Sequence, residues 1–123
     1  MGKLRRFEDM DVWISGRALV KSIYAVSGTN LFAKDYGLRN QIRRAAVSIV
    51  SNIAEGAESQ SNPIFCRFLY SARASAAELR TQLYLASDLN YISGADCGQL
   101  VSQSESISRQ ISGFINYLRN SSD

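Results

Sequence analysis

At 123 residues the chain can bury roughly two-thirds of its unfolded surface around one core, so it needs no disulfide or metal staple to fold. Hydrophobic residues make up 46% and charged residues 20%, which excludes a disordered or membrane-type composition, and the lone proline, Pro63, argues against a turn-rich β-sandwich. The net charge of +3 and the pI of about 9.1 are mild, but eleven of the fourteen cationic residues are arginine, the side chain suited to bidentate phosphate and carboxylate contacts.

The N-terminal stretch Met1-Gly2-Lys3-Leu4-Arg5-Arg6 is basic, but acidic residues follow it and no apolar run does, so it does not read as a signal peptide. Residues 1–8 read as an extension to a single domain that fills the rest of the chain. The first periodic segment runs from about 9 to 26. Asp9 suits its N-cap, and Val12, Leu19, Ile23 and Val26 fall on one helical face. Ser27-Gly28-Thr29-Asn30 breaks it.

The second segment, 36–58, has Asp35 as N-cap and a seam of Leu38, Ile42, Ala45, Ile49 and Asn52, widened by Ala46 and Ile53. The third, 63–91, opens on Asn62 as cap with Pro63 in the first turn. One heptad position holds Phe65, Ala72, Leu79 and Ala86; the other holds Leu69, Ala76, Leu83 and Asn90. The fourth, 95–119, repeats the spacing with Leu100, Ser104, Ile107, Ile111, Phe114 and Leu118. Its serines have poor helix propensity, so packing must hold it, and it is expected to be the least stable helix on its own. Four helices joined by short breaks predict an all-α, antiparallel up-and-down four-helix bundle, packed near a coiled-coil angle of about +20°.

The chemistry this chain can carry is narrow. With no histidine, Ser-His-Asp and Cys-His nucleophile systems, HExxH zinc sites and histidine-ligated di-iron or haem sites are excluded. Neither GxxxxGK[ST] nor GxGxxG is present. Cys66 and Cys97 form no CxxC and read as free thiols in a reducing compartment. No apolar run approaches about 18 residues, so no membrane span is expected. The expectation is a cytoplasmic protein that is not an enzyme and uses no metal and no cofactor. A small-molecule or all-carboxylate metal site within the bundle is a minor alternative.

Two features rise above background. Lys34, Arg39, Arg43 and Arg44 form a basic group outside the second seam, opposed nearby by Asp35. A solvated face, salt bridges to a neighbouring subunit and phosphate binding are all open readings of it. On the third helix Tyr70, Ala77, Tyr84 and Tyr91 share a heptad position away from the seam, between the polar stripes Cys66-Arg73-Arg80-Ser87 and Arg67-Ala74-Thr81-Asp88, with Leu85 and Ile92 on a further line. Tyrosines at a bundle edge explain the stripe, and so does a subunit interface at Tyr70, Tyr84, Tyr91 and Leu85, which predicts a homo-oligomer.

Four stretches also form a pattern together: Phe7 to Trp13 (FEDMDVW), Gly37 to Ile49 (GLRNQIRRAAVSI), Asn52 to Gly56 (NIAEG) and Ser75 to Leu79 (SAAEL). They closely resemble the bacterial four-helix-bundle family of proteins encoded in 23S rRNA intervening sequences, also called S23 ribosomal proteins, over roughly 7–119. The resemblance implies an antiparallel four-helix bundle, a homopentamer with a central pore, and no known enzymatic activity. It extends to the accessory variability determinant of diversity-generating retroelements, a basic pentamer that binds RNA and a reverse transcriptase. RNA or DNA and a protein are thus the candidate partners besides the chain itself.

Asn52, Glu55 and Glu78 match the family's motif positions. Asn52 falls on the seam, where a polar side chain needs partners, so a polar network that fixes helix register is expected, with Glu78 or an arginine in it. Two departures stand out. Ala74 replaces the glycine common before the third-helix serine, and Glu58 is the next charge after NIAEG, where the family often has a basic residue. The second weakens nucleic-acid binding at that end. A protein-protein adaptor is the competing function.

Overall fold

The computed structural model describes residues 6–121. A 3₁₀ turn (Phe7–Asp9) leads into α1 (Asp11–Ser27), a short α2 (Asn30–Lys34), α3 (Tyr36–Glu58), α4 (Asn62–Asp88) and α5 (Gly94–Arg119). The described part of the expected extension is thus partly ordered: Phe7 packs edge-on against Trp13, ring centroids 5.2 Å apart. Residues 1–5 lie outside the described residues.

Each long helix packs on the next, and α1 packs on α5. Cross-helix pairs fix the directions. Gly56 meets Phe65 beside the α3–α4 turn, while Ser48 meets Ser75 two turns further back. Along α5, Cys97, Ser104 and Cys66's partner Ile115 meet progressively earlier residues of α4: Leu83, Ala76 and Cys66. Gly16 faces Val50, and Ser27 faces Arg43, so α1 runs against α3. The four long helices therefore alternate in direction.

The heptad residues form the core. Phe65, Leu69, Ala72, Ala76, Leu79, Leu83 and Ala86 of α4 are buried, as are Leu19, Ile23, Ile42, Ile49, Ile53, Ile107 and Ile111 from the other helices. Leu38, Val26 and Phe114 are half-buried at its margin. Ser104, on the α5 seam, donates to the Ala76 carbonyl at 3.2 Å, so a polar core residue ties α5 to α4.

Helix ends differ from the sequence expectations where local hydrogen bonding decides them. Asp35 caps α3 as expected, its Oδ1 accepting from Leu38 N at 3.1 Å. Asp9 does not cap α1: the cap position is Met10, which offers no side-chain acceptor. Ser61, not Asn62, caps α4 through Ile64 N, leaving Asn62 and Pro63 in the first turn.

At the other end α4 stops at Asp88 rather than Tyr91. Asn90 takes a left-handed φ of 62°. Its N–H bonds Ser87 O and that of Tyr91 bonds Ala86 O, the pair of contacts that closes a Schellman motif. Asn90 is therefore exposed beyond the helix rather than on its seam. The expected break at 27–35 also holds a helical turn, α2, which buries Phe32 completely.

Candidate nucleic-acid interface

The α3 arginines are built into the end of the bundle. Arg43 donates from Nε to Ser27 Oγ at 2.8 Å and from Nη2 to Tyr24 O at 3.2 Å, with its guanidinium carbon 4.4 Å from the Tyr24 ring centroid. It thereby satisfies a carbonyl in the last turn of α1. Arg39 donates to Ala33 O of α2 at 3.0 Å and lies over Tyr36 at 4.7 Å. Both have a packing role that accounts for them without a ligand. Lys34 and Arg44 stay exposed, and Arg44 borders an open cleft with Gln41, Ser48 and Glu78. The expected cluster is thus two anchored arginines and two exposed cations.

The polar network takes a different route from the expected one. Asn52 Nδ2 donates to Ser48 O at 2.8 Å and to Ser48 Oγ at 3.0 Å, and Ser48 Oγ lies 2.8 Å from Ser75 Oγ on α4. Two serines carry the link between helices. Glu78 instead accepts from Gln82 of its own helix at 3.5 Å, and Glu55 is exposed. Gln82 is buried, with Oε1 lacking a partner. Ser48 and Ser75 stand inside the quoted motifs, but a serine pair across helices shows only once the register is known.

The tyrosine stripe divides. Tyr91 stacks on Phe32, centroids 5.3 Å apart, and donates its hydroxyl to Asp35 Oδ2 at 2.8 Å, so it is occupied within the chain. Leu85 and Leu89 are exposed. Tyr70 and Tyr84 are exposed on the α5 side.

That Asp35–Tyr91 bond sets a pH response. The Leu38 N–H first, and then the Tyr91 hydroxyl, hold the Asp35 carboxyl below its ordinary value of 3.8. The same bond holds the Tyr91 phenol above its ordinary 10.0. The depressed carboxylate contributes stability that is fully present above the ordinary value and is lost as pH falls through the lower folded-state value. The raised phenol contributes below 10.0 and loses its contribution as pH rises through its own higher value. Tyr91→Phe is expected to move the Asp35 titration upward toward, but not to, the ordinary value, because Leu38 still donates. Carboxyl NMR titration checks this, and an unmoved midpoint would mean the bond is absent in solution.

A second group of arginines was less visible in the sequence. On the α5-facing edge of α4, Arg73 donates to Ser112 Oγ at 2.9 Å and Arg80 donates to Ser108 Oγ at 3.0 Å. Arg119 of α5 donates to Tyr70 Oη at 3.2 Å, and Arg73 lies over the Tyr70 ring at 5.1 Å. Among the described residues none of these arginines has a carboxylate within ion-pair distance; the ion pair there joins Arg6 and Glu8, 3.2 Å apart. Hydroxyl partners orient a guanidinium without neutralising it. Arg73 and Arg80 lay in a polar stripe by spacing, but the serines that hold them are on another helix.

The described residues thus make up a bundle of alternating helices with oriented, un-neutralised arginines on its outside. Among them no group of metal-ligating side chains gathers, and no helix is long and apolar enough to cross a membrane. The chain belongs to the 23S rRNA-intervening sequence protein family, whose model matches residues 8–113. Its fold is similar to the crystal structure of a protein with unknown function from the S23 ribosomal protein family of Bacteroides thetaiotaomicron VPI-5482. The two are 24% identical with a TM-score of 0.78, over 85% of this chain and 97% of that one. No curated protein matches.

Proposed function

We propose that the protein is a non-enzymatic, oligomeric helical scaffold that binds RNA or another nucleic acid through arginines on its outer faces. The observation that carries this reading is the state of those arginines: they dominate the cationic residues, and Arg39, Arg43, Arg73, Arg80 and Arg119 bond to carbonyls and hydroxyls rather than to carboxylates. Their full charge remains available to phosphate. The family resemblance supports the same reading and implies a pentamer. The buried free thiols Cys66 and Cys97 suit a reducing, cytoplasmic setting.

A protein-protein adaptor is the second reading. It is favoured by the exposed Leu31, Tyr36, Leu85 and Leu89, which surround the end of the bundle where Tyr91 meets Phe32. Of these, only Leu85 belongs to the surface expected for self-association, with Tyr70, Tyr84 and Tyr91.

An electrophoretic shift titration with single-stranded RNA between 50 and 200 mM salt separates the readings. Nucleic-acid binding predicts affinity that falls steeply with salt, with a slope of about 0.7 per phosphate contact on a log-log plot. No shift at 50 mM salt would reject it in favour of the adaptor.

A further inference from the structure

We infer that the nucleic-acid site lies on the α4–α5 edge, centred on Tyr70, and takes a single strand rather than a duplex. This rests on the reading above and adds to it a place and a kind of ligand. Arg67, Tyr70 and Arg119 line one open cleft at the start of α4 and the end of α5, floored by Cys66 and Leu118. Arg73 closes over the Tyr70 ring from the next turn. Arg73 and Arg119 thus meet Tyr70, Arg67 lines the same cleft, and among the described residues no carboxylate lines it. Arg44 borders two clefts on α3: one contains Glu78, and in the other Arg43 is already held on Ser27 Oγ and Tyr24 O, with its guanidinium over the Tyr24 ring.

The edge continues along α4 through Arg80 to Tyr84, and exposed Asp88 lies one turn beyond. Arg80 follows Arg73 by two turns, about 10 Å, and exposed Tyr84 lies about 21 Å from Tyr70. Glu105 is on the same edge of α5, one turn before Ser108, and makes no ion pair with Arg80 among the described residues. Positive charge tracking a line, interleaved with exposed aromatic rings, is the arrangement that holds a sugar-phosphate backbone while bases stack. A duplex offers no exposed base faces to Tyr70 and Tyr84, and its stacked bases would leave the rings unused.

The test is fluorescence anisotropy with a labelled oligouridine, at several salt concentrations, on the full chain. Arg67 and Arg119 are exposed, so R67Q/R119Q is expected to retain the helical circular-dichroism spectrum and the parent's assembly size. It is expected to bind about tenfold more weakly at 50 mM salt, with a log-log slope lower by about 0.7 for each arginine removed. Tyr70→Leu is expected to weaken binding about fivefold or more while leaving the salt slope unchanged, because it removes stacking and no charge. K34Q/R44Q, on the other face, is expected to stay within about twofold of the parent.

If the parent binds with a steep slope and R67Q/R119Q binds equally well, the site is elsewhere: the inference falls and the proposed function stands. Loss of binding in K34Q/R44Q alone has the same meaning. If R67Q/R119Q breaks the assembly into smaller species, the edge is a subunit contact and the inference also falls. If the parent shows no salt-dependent binding, both fall together.

Discussion

Phe32→Ala is expected to lower stability by about 3–5 kcal/mol. Phe32 is completely buried and stacks on Tyr91. α2 is five residues long, too short to be stable alone, and its cap position, Thr29, makes no side-chain capping bond. The ring is therefore what docks it. Its loss leaves a cavity between α2 and Tyr91 and frees the carbonyl of Ala33 that Arg39 binds. Urea unfolding should show a lower midpoint at unchanged slope. A loss below about 1 kcal/mol would mean that the site collapses around the missing ring.

Gly56→Ala should also destabilise, by about 1–3 kcal/mol, although alanine is ordinarily better than glycine in a helix by up to about 1 kcal/mol. Two effects of opposite sign compete, and the geometry decides between them. A Cβ on Gly56 would sit 2.7 Å from Phe65 Cδ1 and 2.8 Å from Phe68 Cβ. The Phe65 ring can tilt, but Phe68 Cβ moves only with the α4 backbone, so α3 and α4 must part at Gly56. Gly113 supplies the control. Nothing lies within 4 Å of its Cβ position, so Gly113→Ala should stabilise by about 0.5–1 kcal/mol. Equal and favourable effects at both glycines, measured by thermal unfolding, would show that the helices accommodate the methyl group.

The long helices were legible because their apolar spacing persists over many turns: Phe65 to Ala86 is a core stripe whichever neighbours cover it. What escaped the sequence depended on partners far along the chain. Asn-Leu-Phe-Ala-Lys is too short to show a period, and Phe32 meets Tyr91 from 59 residues further along the chain. Carrying the third helix through Asn90 also carried Tyr91 onto a surface stripe, although asparagine after a helix is itself a stop signal. Of the candidate site, the i,i+4 spacing of Arg39 and Arg43 was visible, but not the helix-end carbonyls they bind. The oriented arginines of α4 needed the register of α5 before Ser108 and Ser112 could be paired with them.

Gly16 and Gly56 have a mechanical consequence. Val50 of α3 sits where Gly16 of α1 lacks a side chain, and Phe65 of α4 sits where Gly56 of α3 lacks one. α3 is thus keyed into two neighbours by notches that point opposite ways, one receiving and one given. Sliding α3 by a turn would drive Val50 against a residue with a Cβ and pull Phe65 out of its notch, which closes the shear motions that packed helices otherwise permit. At these two contacts the helices are geared to each other, so a change at one end of α3 is passed on by tilting or at the turns rather than by sliding.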